Sequence, residues 1–198
     1  MKIQKNIFLL LGILLIACSV GLIVFHYGQA KSVQRKTAVI TDKIEALLPD
    51  TSPGFPGDYT NAMMPVLQIE GTDYAGLLQI PAYGLTMPIA DIWDESSVFF
   101  CPVRYFGSVY DNTMIVGGSD QPGQFDFFDR MQPGDTVRIT DMLGAEFSYT
   151  VQRIDRSGSA DYEKLSSGDY PLTLFVRSAY SKEYLLVRCV LKTSPETM

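Results

Sequence analysis

Hydrophobic positions along the chain change their period three times. From Ile7 to Tyr27 the run is almost wholly apolar and holds no Asp, Glu, Lys or Arg. About 20 such residues cross a bilayer as a helix, so residues 7–27 read as a transmembrane anchor. A short basic head, residues 1–6, precedes it with Lys2 and Lys5. From Lys31 to Leu48 the period is helical, with Val33, Ile40, Ile44 and Leu47 on one face. Pro49, Pro53-Gly54, Pro56-Gly57 and Asp58 then interrupt it, so residues 28–72 read as a helix and a Pro/Gly linker. From Asp73 onward, short runs of period two alternate with turn signals, which predicts an all-β barrel or sandwich over residues 73–198.

The predicted strands are Tyr74–Ile80, Leu85–Ala90, Thr113–Gly117, Thr136–Thr140, Glu146–Asp155, Leu172–Val176 and Tyr184–Lys192. Met142-Leu143-Gly144 reads as a hairpin connection, and Phe125–Met131 and Asp161–Leu165 as short helices. The last two strands alternate most clearly. Leu172, Leu174 and Val176 share one face, with Thr173, Phe175 and Arg177 opposite. Leu185, Val187 and Cys189 share one face of the next strand, with Tyr184, Leu186 and Arg188 opposite. Arg177 thus ends one core strand and Tyr184 opens the next, where polar side chains line clefts.

Charge and composition then remove several functions. A net charge of -6 argues against a nucleic-acid partner, which needs a basic face. Three cysteines do not make a disulfide scaffold. Cys189 shares the Leu185 and Val187 face, so Cys101 and Cys189 are expected as buried, unreactive thiols rather than a bridge. Leu15-Ile16-Ala17-Cys18 leaves a lipidated Cys18 as an alternative to an uncleaved span. The apolar run continues through Phe25, which favours the span. Lysines and arginines flank it on both sides, so they do not orient it.

Five segments, in order, resemble the sortases, the membrane-anchored cysteine transpeptidases of Gram-positive cell surfaces. Gly76-Leu77-Leu78-Gln79-Ile80-Pro81 followed by Leu85-Thr86-Met87-Pro88-Ile89 resembles their opening strand pair. Cys101 to Ser108 is similar to the segment before their central strand, and Asn112 to Ser119 resembles NxVIAGH. Phe125 to Asp135 is similar to FxxLxxLxxGD. Thr173 to Arg177, then Tyr184 to Cys189, resembles TLxTC followed by an Arg-led strand ending in VRC. The resemblance covers about Tyr74 to Lys192. It implies an eight-stranded sortase-like β-barrel with short helices, an N-terminal transmembrane helix, a C-terminal domain outside the membrane, and a groove between the last two strands.

The resemblance also implies a Cys, a His and an Arg, and this chain departs at all three positions. Ser119 stands for the His, Arg177 for the Cys and Tyr184 for the Arg. An arginine stays protonated and cannot attack a carbonyl. The sole histidine, His26, lies in the apolar run, so no thiol–imidazole or Ser–His mechanism can be assembled. The sequence therefore predicts a sortase-like pseudoenzyme, a binding or assembly module at the cell surface. Its expected groove residues are Ser119, Asp120, Arg177 and Tyr184, with Arg177 paired to an acid such as Asp120 or meeting a ligand carboxylate. The expected partners are the membrane, and a surface-protein sorting signal, a pilin-like substrate or an active sortase. The alternative is an active acyltransferase with a relocated nucleophile: Ser178 beside Lys182, Cys101 or Cys189. The acids Asp126, Asp129, Asp161, Glu163 and Asp169 lack an EF-hand spacing, and neither a zinc set nor a phosphate loop occurs, so no metal or cofactor is expected.

Overall fold

The structure is a computed structural model that describes residues 2–54, 59, 62–94, 96–177 and 183–192. Within the first helix, side chains are described for residues 12–21, for 31 and from 33 onward. The chain divides into two compact units, Met1–Lys36 and Thr37–Met198.

Helix α1 runs over Lys2–Leu47. In the first unit Ile13, Leu14, Leu15, Ile16 and Val20 are all exposed. Among the described residues no helix is long and apolar enough to cross a membrane. In the second unit the last turns of α1 bury Ile40 and Ile44 in the barrel core. Thr37 Oγ1 donates to the Phe100 carbonyl at 3.0 Å, and Lys43 pairs with Glu70. The sequence places the start of the barrel domain at Asp73. The compact unit takes in residues from Thr37, because Ile40, Ile44 and Met64 belong to its core.

Among the described residues ten strands form one sheet. β1 (Ser52–Pro53) and β2 (Leu67–Ile69) are short additions inside the expected linker. The other eight are β3 (Thr72–Ile80), β4 (Leu85–Ala90), β5 (Val103–Phe106), β6 (Met114–Ser119), β7 (Thr136–Asp141), β8 (Ala145–Ser157), β9 (Leu172–Arg177) and β10 (Tyr184–Leu191). Their pairings close on themselves in the order β3-β4-β5-β6-β9-β10-β8-β7 and back to β3. Closure at the β4–β5 seam rests on the single pair Ala90–Val103, and β1 and β2 each pair on one side only. The pairs β4–β5 and β6–β9 are parallel, and the rest of the ring is antiparallel.

Alternation decides what fills the barrel. Leu172, Leu174 and Val176 of β9 join Met114 and Val116 of β6 and Leu185, Val187 and Cys189 of β10 in the core. The opposite faces carry a second apolar cluster of Ile115, Phe175, Leu186 and Leu165, covered by Trp93, Tyr105, Ala160 and Tyr184. Helix α2 (Tyr162–Leu165) supplies Leu165, and Asp161 caps it by accepting the Lys164 N–H at 3.0 Å. The helix expected over Phe125–Met131 is reduced to a 3₁₀ turn, Phe128–Arg130. Phe125, Phe127 and Phe128 are all buried there.

Candidate functional site

Three neighbouring strands bring Ser119, Arg177 and Tyr184, the positions singled out by the sequence resemblance, into one row. In the parallel β6–β9 ladder Ser119 lies opposite Arg177, and in the antiparallel β9–β10 ladder Arg177 lies opposite Tyr184. Neighbouring strands are about 4.8 Å apart, so the row is a compact cluster at one end of the sheet. Arg177 follows Phe175 by two residues, and Tyr184 precedes Leu186 by two. Both therefore stand on the outer face, above the second apolar cluster.

Ser119 is buried, Tyr184 half-buried and Arg177 exposed. The Ser119 N–H donates to the Gln124 side chain, whose Nε2 donates onward to the Val98 carbonyl at 3.1 Å. The Phe125 N–H donates to the Ser119 carbonyl at 3.0 Å. The loop after β6 is thus folded back and tied to residues 97–99 through a buried glutamine. Arg177 has no hydrogen bond or ion pair with any described residue, so the expected Arg177–Asp120 pair does not form among them. Asp120 itself is half-buried. Ser178 and Lys182 lie outside the described residues.

One row below, Gly117, Phe175 and Leu186 are in register. Trp93 lies on this row, 5.6 Å from the Phe175 ring and edge-on to Tyr105 at 5.1 Å. A Cβ at Gly117 would come within 2.4 Å of Trp93 and 2.6 Å of Phe175, so only glycine lets the two rings close over the sheet. The result is an aromatic floor beneath an exposed cation. Sequence reasoning leaves Trp93 and Gly117 outside the site. A glycine inside a strand run does signal a close approach, but not the identity of the approaching group.

Two rows below, Arg188 is in register with Thr173 and Arg153. It is 2% exposed and fully engaged. Its Nη1 donates to Thr173 Oγ1 at 3.0 Å and to the Leu165 carbonyl. Its Nη2 donates to the Lys164 carbonyl at 2.6 Å and to Ser167 Oγ at 3.2 Å. Its Nε donates to Asp155 at 3.4 Å. Burial draws its basicity below the ordinary arginine range, and the Asp155 carboxylate opposes that effect. Arg188 anchors α2 and its following turn to the sheet.

The two thiols of the second unit are free and buried. Burial pushes Cys101 up to about 11, and pushes Cys189 well above the ordinary thiol range. Cys101 and Cys189 both belong to the barrel core, and neither is among the residues of the outer apolar cluster. Among the described residues no three His, Cys, Asp or Glu side chains are placed to hold a metal.

No protein-family model matches the sequence, and no curated protein matches it significantly. The barrel, however, matches solved sortases. Sortase C of Clostridium perfringens, solved with the C-terminal cell wall sorting motif, matches with a TM-score of 0.55 at 18% identity, over 83% of this chain and 88% of that one. Sortase A of Corynebacterium diphtheriae matches with a TM-score of 0.54 at 17% identity, over 85% and 86%. Sortase C1 of Streptococcus agalactiae matches with a TM-score of 0.52 at 21% identity, over 65% and 72%. The fold is the sortase fold, an eight-stranded barrel.

Proposed function

We propose that this sortase-fold chain is a membrane-anchored, extracytoplasmic protein that binds rather than cuts. The row Ser119–Arg177–Tyr184 carries the reading. By the sequence resemblance, these positions belong to the imidazole, the thiol and the guanidinium of a transpeptidase. A thiolate attacks the peptide carbonyl, the imidazole moves the proton, and the guanidinium stabilises the oxyanion. Here the attacking position holds a fixed cation with no electron pair to give. Tyr184 offers one neutral donor in place of a fork. The remaining thiols do not substitute, because Cys101 and Cys189 are buried and held protonated near neutral pH.

What remains is an exposed guanidinium above an aromatic floor of Phe175, Trp93 and Tyr105. That pairing suits an extended segment that presents a carboxylate to Arg177 and an apolar side chain to the rings. A surface-protein sorting signal, the tail of a pilin-like substrate or a segment of an active sortase has this chemistry. Residues 7–27 would anchor the chain, with the barrel on the outer side.

The test is binding of acidic sorting-signal peptides to the full chain in non-ionic detergent, read by fluorescence polarisation. Arg177→Ala is expected to weaken binding about tenfold or more, and Arg177→Lys to weaken it less. A peptide that binds wild type and Arg177→Ala equally well would remove Arg177 from the groove.

A further inference from the structure

A cleft of about 500 Å³ opens beside the row, between the end of β8, the turn after it, α2 and β10. Arg153, Arg156, Lys164 and Arg188 line it, with Asp155 as the one acid. Four of the chain's sixteen basic residues and one of its twenty-two acids therefore meet in one concavity of an acidic protein. Like charges gathered in one concavity repel one another unless anions join them.

The internal pairing leaves charge over. Asp155 accepts from Arg153 Nε at 2.8 Å and from Arg188 Nε at 3.4 Å, so the one carboxylate is shared by two arginines. Arg188 is consumed by its carbonyl and hydroxyl partners. Among the described residues Arg156 pairs with Glu183, at 3.6 Å, and its side chain stays 62% exposed. Lys164 is exposed, and its ammonium has no bonded partner among the described residues. Asp161 accepts from Ser159 Oγ and from the Lys164 N–H, and these bonds together with the nearby Lys164 charge hold its carboxyl below the usual carboxylate range. Arg156 and Lys164 are thus two exposed cations that line the cleft.

We propose that this cleft is an anion site for a phosphoryl group, separate from the Arg177 row. A carboxylate ligand would repeat what Asp155 already supplies to Arg153. A phosphoryl group brings a third oxygen and up to a second negative charge, which Arg156 and Lys164 can meet while Asp155 stays in place. The same chemistry is found on free phosphate compounds and on phospholipid headgroups, and the site reads the phosphoryl group in either.

The experiment titrates the full chain in non-ionic detergent with inorganic pyrophosphate at low ionic strength, by isothermal calorimetry. Saturable binding is expected. It should weaken at least about tenfold in the double variant Arg156→Ala/Lys164→Ala, and be unchanged in Arg177→Ala. Both mutated side chains are exposed, so the double variant should keep the wild-type melting temperature within about 2 °C. Repeating the titration in nanodiscs identifies the source. Weaker pyrophosphate binding in phosphatidylcholine discs, which carry the phosphoryl headgroup without net surface charge, than in detergent means headgroups compete for the cleft, and equal binding means a soluble phosphoryl ligand. The proposal is overturned if pyrophosphate does not saturate, if the double variant binds like wild type, or if acetate at equal ionic strength displaces it as well as phosphate does. Because the Arg177 row takes no part, its failure as a peptide groove and the failure of this site are distinguishable.

Discussion

Arg188 and Arg177 stand on the same outer face of adjacent strands, and they do different work. Arg188 is buried and spends its donors on two carbonyls, two hydroxyls and a carboxylate. Arg177 is exposed at the strand end and has no bonded partner among the described residues. One guanidinium is a structural bolt that joins α2 to the barrel. The other is a charge offered to solvent at the place where the sortase resemblance puts a nucleophile. The two guanidiniums stand four residues apart along the β9–β10 ladder, about 14 Å of sheet: the lower one holds the fold, and the upper one faces solvent.

The sharpest break of this comparison is Arg188→Ala. It strands the buried Leu165 carbonyl and the partly buried Lys164 carbonyl and leaves Asp155 to Arg153 alone, so a loss of about 2–4 kcal/mol in unfolding free energy is expected by chemical denaturation. A loss under about 1 kcal/mol would mean that α2 is held by Leu165 packing alone.

Next in size is Gly117→Ala. Its Cβ would meet Trp93 at 2.4 Å and Phe175 at 2.6 Å, and overpacking of this kind costs about 1–3 kcal/mol. Trp93→Ala in the same chain should recover part of that cost, because it removes one of the colliding rings. A double-mutant cycle with no coupling would contradict the aromatic floor.

The thiols give a smaller effect with a definite sign. An unfolded thiol ionises near about pH 8.5, whereas Cys101 holds its proton up to about 11 and Cys189 further still. The unfolded chain therefore releases protons first as pH rises, and stability should fall between those values. Tyr110 and Tyr149, whose hydroxyls burial also raises, extend the fall to higher pH. Maleimide at neutral pH should leave both thiols unlabelled until the chain is denatured. Native labelling of either one would open the route to a relocated nucleophile.

Smallest of all is the stability effect of Arg177→Ala, expected within about 0.5 kcal/mol because nothing described depends on that side chain. A larger loss would show that Arg177 is a second bolt.

Much of the barrel was legible because alternation is a local signal. Leu172, Leu174 and Val176 on one face and Leu185, Val187 and Cys189 on the next predict the core that is found. β2 was not legible: it is only Leu67–Ile69, and its hairpin turns on Glu70 and Gly71 with φ of 52° and 83° inside a run that reads as linker. β5 escaped because its ladder to β6 shifts register between Arg104 and Phe106, which breaks the period of two. At the site, the sequence names Ser119, Arg177 and Tyr184 but not the floor beneath them. Trp93 reaches Phe175 only through the fold, and Arg188 meets partners 15–33 residues away along the chain. Such long-range contacts leave no local period to read.

The central claim is that the outer row holds no nucleophile, and intact-mass spectrometry after incubation with sorting-signal peptides tests it most directly. Wild type should show no acyl adduct and no cleaved peptide. The variant Ser119→His/Arg177→Cys/Tyr184→Arg, which restores a thiol and its partners to the row, should gain a slow adduct at residue 177. An adduct on wild type, mapped to Ser178, Cys101 or Cys189, would contradict the account and name the group that attacks.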